Sequence, residues 1–159
     1  MNYWLMKSEP DAFSIDDLKQ RKHQTEHWDG VRNYQVRNLL RDQIKKGDLA
    51  LFYHSSCKVP AAVGIVTISS DGYPDHTALD PESKYFDPKS TPEQPRWYMV
   101  DVTYLESFAN PVTLQAMKQR PELLNSDFAL LKRGSRLSIM PVSKHQWDTI
   151  LSMATAKQV

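Results

Sequence analysis

The chain has 159 residues, 25% charged and 40% hydrophobic, and its 20 Lys and Arg against 19 Asp and Glu leave a formal net charge of +1. That length suits a single domain able to bury roughly 70% of the surface its unfolded form exposes, and the near-neutral balance excludes a histone-like polycation while allowing a local basic patch. No apolar run approaches the roughly 18 residues of a membrane span, no secretory leader is evident, and the lone Cys57 cannot close an internal disulfide. The expectation is therefore a protein of the cytoplasm, or of the nucleus in a eukaryote, with no membrane partner.

The first strand is read at Tyr3-Trp4-Leu5-Met6, an apolar run that stops at Lys7-Ser8-Glu9-Pro10. Proline lacks an amide proton and restricts the residue before it, so the chain bends there and the strand end presents three polar side chains. Ser14 followed by Asp17 forms a capping pattern for a short helix from Ile15 to about Gln20. Trp28-Asp29-Gly30-Val31-Arg32-Asn33-Tyr34 sets an indole, a glycine and an asparagine on a loop. Asn33 is a favoured cap for a second helix carrying Val36, Leu39, Leu40 and Ile44 on one face. Leu49 to Tyr53 and Val63 to Ile68 read as adjacent buried strands, the first ending in Tyr53-His54-Ser55-Ser56.

The stretch from Ser69 to Arg96 holds five of the ten prolines. Long irregular segments are functional or disordered, and Tyr73, Tyr85 and Phe86 argue for order because disordered segments are poor in aromatics. Tyr98 to Leu105 places Tyr98, Val100, Val102 and Tyr104 on one face of a further strand. Beyond it, Leu114 to Arg120 and about Leu123 to Leu131 read as short helices split by Pro121, and Leu137 to Met140 as a last strand. Ser143 with Gln146 caps a closing helix through Trp147, Ile150 and Leu151. Regular alternation of strand, helix and parallel strand is absent. The pattern fits an α+β domain spanning residues 1–159, a small, mostly antiparallel curved sheet or barrel flanked by helices.

Lys7, Ser8 and Glu9 combine donors and acceptors in the manner needed to bind the edge of a base; the alternative is that Glu9 caps the next helix and Lys7 pairs with an acid. Trp28 offers a flat face on which a stacked base gains roughly 1 to 3 kcal/mol, against plain burial. Asn33 either presents its amide to a ligand or serves only as a cap. Tyr53, His54, Ser55 and Ser56 line a cavity or form a structural turn; a nucleophile activated by its sequence neighbour is geometrically poor, which counts against a hydrolase. Tyr85 or Trp97 would supply a second aromatic wall, with core packing an equal alternative for Trp97. Arg32, Arg37 and Arg136 are candidate phosphate contacts, weighed against solvated surface cations. Metal motifs and Gly-rich phosphate loops are missing, and His23 and His27 are the sole suggestive metal pair, so no cofactor is implied.

Taken together, these segments resemble the EVE domain family. The resemblance rests on Tyr-Trp-Leu-Met-Lys-Ser-Glu-Pro, Phe-Ser-Ile-Asp-Asp-Leu, Trp-Asp-Gly-Val-Arg-Asn-Tyr-Gln-Val-Arg-Asn, Gly-Asp-Leu-Ala-Leu-Phe-Tyr-His-Ser-Ser, Asp-Pro-Lys-Ser, Pro-Arg-Trp and Gly-Ser-Arg-Leu-Ser, which run in family order from Tyr3 to Ser138. It implies a PUA-like fold, a small β-barrel with flanking helices, close to the YTH readers of methylated adenine in RNA and to ASCH domains. It also implies an aromatic cage built on Trp28, with Lys7, Ser8, Glu9 and Asn33 as polar groups and Trp97 or Tyr85 as second wall. Glu9-Pro10 departs from the YTH pattern, and a carboxylate there would favour an amine-bearing base such as a modified cytosine or adenine. The expected function is a non-catalytic module recognising a modified base in DNA or RNA. The competing readings are an enzyme acting on modified nucleotides or RNA, with Glu9, His54 or Lys7 as acid-base groups, and a protein-interaction module with a vestigial pocket.

Overall fold

The computed structural model describes residues 1–155. One sheet is built from Tyr3–Ser8 (β1), Thr25–His27 (β2), Leu49–His54 (β3), Ala61–Ile68 (β4), Asp101–Thr113 (β7) and Ile139–Val142 (β8), in the order β2-β7-β4-β3-β1-β8. A two-stranded ribbon pairs Tyr73–Pro74 (β5) with Tyr98–Met99 (β6). The pairing is antiparallel throughout except between β1 and β3, which run parallel with Ser8 opposite His54. These two strands therefore end at the same rim.

Period-two alternation gives the sheet two apolar faces. Trp4, Met6, Phe52, Val66, Val100 and Val102 point into an inner core closed by Ile15–Gln20 (α1) and Tyr34–Asp42 (α2). Leu5, Leu51, Ile65 and Met140 face outward and are covered by Lys144–Thr155 (α5), with Met117 of Leu114–Lys118 (α3) and Leu123 of Pro121–Leu124 (α4). Each such fully buried side chain contributes about 1.5 to 3 kcal/mol relative to exposure. The sheet curls into a half-barrel. Where β4 meets β7 the register shifts twice, between Ala62 and Gly64 and between Ile65 and Val66, and such bulges bend and twist a strand. Gly64 sits in this bend because a Cβ there would lie 2.3 Å from both the Glu106 carbonyl oxygen and Ile15 Cδ1. Among the described residues no ladder joins β2 to β8, so the sheet curls without closing by hydrogen bonds.

Local chemistry sets the element ends. Ser14 Oγ accepts from Asp17 N while Asp17 accepts from Ser14 N, a reciprocal capping box for α1. Ser143 and Gln146 repeat the device at α5, and Asn33 Oδ1 accepts from Val36 N at 3.0 Å to cap α2. Three expected elements shift. The strand expected from Tyr98 to Leu105 breaks at Val100, its first two residues leaving for β5, although Val100 and Val102 keep their inward face. Pro121 opens α4 instead of only separating two helices, which suits a residue with no amide proton to lose. The final strand lies at Ile139–Val142, two residues beyond its expected place.

Candidate functional site

A cleft of about 510 Å³ opens where β1 ends. Trp28 lies in its lining yet is only 9% exposed. Phe13 and Phe52 meet the indole edge-on, with ring centroids 6.4 and 5.6 Å away, and Trp28 N donates to the Val100 carbonyl at 2.8 Å. The indole is thus part of the inner core and part of the cleft at once, packed against two phenylalanine rings while its backbone is tied to Val100.

Lys7, Ser8 and Glu9 all line the cleft. Burial pulls the Lys7 ammonium below its ordinary pKa, and Lys7 joins no ion pair among the described residues. The Ser8 hydroxyl donates to the Phe13 carbonyl, which commits its proton and leaves its oxygen free to accept. The Glu9 carbonyl accepts from Ala12 N and Phe13 N at 3.0 and 2.8 Å, making the bend that Pro10 announces. Since Ser14 caps α1, the Glu9 carboxylate is not spent on the helix.

Further charged groups share the cleft. Arg21 donates through Nε to Glu26 at 3.0 Å and lies 5.2 Å from the centre of the Phe13 ring. His27 stands between two carboxylates, Nδ1 3.1 Å from Glu26 and Nε2 3.6 Å from Asp29. Burial raises the Asp29 pKa, His27 offsets part of that, and the charges of Asp75 and Glu26 add to it.

Tyr85 adds its ring to those of Phe13 and Trp28 in the lining. Its ring lies on Gly30, whose φ is +78° and where a Cβ would fall 2.5 Å from Tyr85 Cζ. Only glycine meets both demands without cost. Arg32 fixes this arrangement with all five of its N–H groups. Nε and one NH2 hydrogen reach the Tyr85 carbonyl at 3.2 and 2.7 Å, and the others reach the Val31 carbonyl, Asp75 and Thr77. The Asp75 side chain is wholly buried. Burial pushes its carboxyl pKa up, but hydrogen bonds from Thr77, Gly30 and Arg32 outweigh that and hold it below the ordinary value.

Several residues expected in the cleft lie elsewhere. Trp97 is 6% exposed, donates through Nε1 to Asp87 at 2.7 Å and stacks on Tyr34 with centroids 4.7 Å apart. Tyr53 is 2% exposed in the outer core, where burial pushes its phenol up to about 12; its neighbour Phe52 is the one that faces the indole. His54 accepts from Ile15 N through Nε2 at 3.2 Å, and burial lowers its pKa, with Asp16 and Asp17 offsetting part of the effect. Ser55 donates its backbone N–H to the Ser8 carbonyl and Ser56 turns the chain with φ at +52°, so both belong to the β3–β4 connection. Asn33 and Arg136 line a separate groove. Arg32 is turned inward with its N–H groups bonded within the fold, and Arg37 lies on α2, bonded to the Arg96 carbonyl and to Asn38. The residues that sequence reasoning missed, Phe13, Arg21, Glu26, His27, Asp29 and Lys84, either flank Trp28 directly or arrive with α1 and the proline-rich segment.

The arrangement can hold a flat, polar molecule against an aromatic floor, with carboxylates to accept from its amines and an ammonium to donate to its carbonyl. Among the described residues no group of three or more His, Cys, Asp or Glu is placed to hold a metal ion, and no helix is long and apolar enough to cross a membrane.

Thymocyte nuclear protein 1 of Mus musculus is 41% identical to the chain over 166 residues, covering 96% of this chain and 73% of that protein. The crystal structure of human THYN1 protein in complex with 5-methylcytosine-containing DNA is similar with a TM-score of 0.91 and 37% identity, covering 99% of this chain and all of that one. An ASCH protein from Zymomonas mobilis shares the fold at a TM-score of 0.55 and 10% identity. The family model of the EVE domain matches residues 2–153, and the chain belongs to that family.

Proposed function

We propose that this protein is a non-catalytic module that reads a modified base, a methylated cytosine in DNA foremost, by drawing it into the cleft beside Trp28 and Tyr85. The observation that carries this reading is the likeness over 99% of the chain to the human protein bound to 5-methylcytosine-containing DNA, joined to a cleft of nucleobase chemistry in this chain. Glu9 and Asp29 accept from the exocyclic amine that cytosine carries, Lys7 donates to its carbonyl oxygen, and the aromatic groups receive the ring and its added methyl. A base taken into such a cleft leaves its stack at a cost of a few kcal/mol, which stacking and charge-assisted hydrogen bonds offset.

The non-catalytic reading is supported by His54, whose Nε2 is occupied by the Ile15 amide, and which lies outside the cleft lining. The test is a fluorescence-anisotropy titration of the purified protein with matched DNA oligonucleotides carrying cytosine or 5-methylcytosine, run beside an adenine and N6-methyladenine pair and RNA counterparts. Tighter binding of the methylated cytosine DNA is expected. Equal affinity for all probes, or conversion of the modified nucleoside to a product, overturns the reading.

A further inference from the structure

A second concavity, of about 460 Å³, is lined by Lys132, Arg133 and Arg136 together with Asn33 and Gln35 at the start of α2. It differs from the cleft in its charge. Three cations line it and no carboxylate does. All three are exposed, and none forms an ion pair among the described residues, a state they share with Lys7, Arg37 and other cations; what sets them apart is their clustering on one turn with no carboxylate in the lining. In a chain of net charge +1, an unneutralised triplet is a local positive field that attracts a polyanion.

Two short routes tie the groove to the cleft. Asp29 of the cleft and Asn33 of the groove are four residues apart, a reach of at most about 14 Å. On the other side Lys7 N donates to the Ser138 carbonyl at 2.8 Å, and Ser138 lies two residues from Arg136. The turn carrying the cations is tight, closed by Ser135 N on the Lys132 carbonyl with Gly134 at φ +80°. Each strand of duplex DNA carries one phosphate per roughly 3.4 Å of helix axis, and a single strand spaces them no more closely, so the groove lies within a few nucleotides of a base held in the cleft.

We propose that this groove binds the backbone phosphates of the same strand whose base occupies the cleft, through Lys132, Arg133 and Arg136. The inference rests on the reading of the cleft as a base site. It moves the phosphate contact away from Arg32, whose five N–H groups are all engaged within the fold, and from Arg37, which bonds the Arg96 carbonyl and Asn38, to a turn whose three cations form no ion pair among the described residues.

The experiment compares wild type with a Lys132→Gln, Arg133→Gln, Arg136→Gln triple variant and the three single variants, titrating single-stranded DNA with cytosine or 5-methylcytosine across a salt series. Every phosphate that is no longer neutralised should flatten the plot of log affinity against log salt by about 0.7, so the triple variant should lose about 2 units of slope. Both probes should weaken alike, keeping the ratio between them, and melting temperatures should coincide because the three side chains are exposed. A wild-type slope retained in the triple variant, with the preference for 5-methylcytosine intact, overturns the groove and leaves the base site standing. Loss of slope in a protein whose wild type shows no preference sinks the base site and leaves a phosphate-binding groove. No DNA binding by wild type sinks both.

Discussion

Arg32 grips the backbone carbonyl of Tyr85 with two N–H groups, at 3.2 and 2.7 Å, and so ties the proline-rich segment to the loop that carries Trp28. A guanidinium makes five bonds in a fixed plane that an ammonium cannot reproduce. Arg32→Lys is expected to weaken binding of the methylated probe at least tenfold with an unchanged salt slope. A slope flattened by about 0.7 would instead reveal a phosphate contact.

Trp28 belongs to both core and cleft, which decides how it is to be tested. Trp28→Ala removes a nearly buried indole packed on Phe13 and Phe52 and should cost about 3 to 5 kcal/mol of stability. Trp28→Phe keeps an apolar ring and should retain most of that stability while losing stacking area. Thermal melting and anisotropy on the two variants separate the roles: a Phe variant that melts near wild type but binds methylated DNA more weakly is the expected result.

The buried Asp75 predicts a defined acid response. Its carboxyl is held below the ordinary value of 3.8, so its contribution is fully present above that pH and is lost as pH falls through the lower folded value. Asp75→Asn leaves Arg32 without its charged partner and should cost about 3 to 5 kcal/mol at neutral pH. Melting temperatures of the two proteins should converge as the pH drops below about 4. A gap that stays constant down to pH 2 would count against this role.

Asp29 has the opposite sign. Its pKa is raised, first by burial, so its neutral form is favoured in the fold, and the stability that form supplies is lost as pH rises through the folded value. Asp29→Asn is therefore expected to melt at or above wild type at pH 7, the difference vanishing in acid. Binding should move the other way, weakening about tenfold, or about 1.4 kcal/mol, through loss of a charged acceptor for the base amine. A variant with unchanged affinity for cytosine-containing probes removes Asp29 from the recognition scheme.

The parts of the site written in consecutive residues were legible in the sequence. Lys7, Ser8 and Glu9 follow from a strand that stops at a proline, and Trp28 from a glycine-bearing loop; all four line the cleft. Which residues lie outside the cleft depended on facts that adjacency does not encode. Tyr53 and Phe52 differ by one position, and only the register of β3 against its neighbours decides which faces the indole. Asn33 caps α2 through Val36 N and Trp97 bonds Asp87, the cap and core-packing alternatives that the sequence left open, and neither lines the cleft. Phe13 and Arg21, on either side of α1, reach the cleft only because that helix packs back against β7 and β2, a tertiary event with no periodic trace. Five of the six strands of the main sheet were readable, four as apolar runs and one from period-two alternation, whereas the three-residue β2, polar throughout, left no such signal. The parallel pairing of β1 with β3, separated by about forty residues of chain, was not.

Ten of the twelve residues around the cleft come from one uninterrupted stretch, Lys7 to Asp29, and only Lys84 and Tyr85 arrive from elsewhere. The chain between β1 and β3 thus supplies nearly the whole lining of the cleft, while also giving β2 to the sheet and Ile15, Leu18 and Trp28 to the inner core. On the proposed function, exchange of that stretch between relatives is expected to transfer selectivity while the outer helices and the cation-bearing turn stay as they are, so that choice of base and grip on the polymer would vary separately.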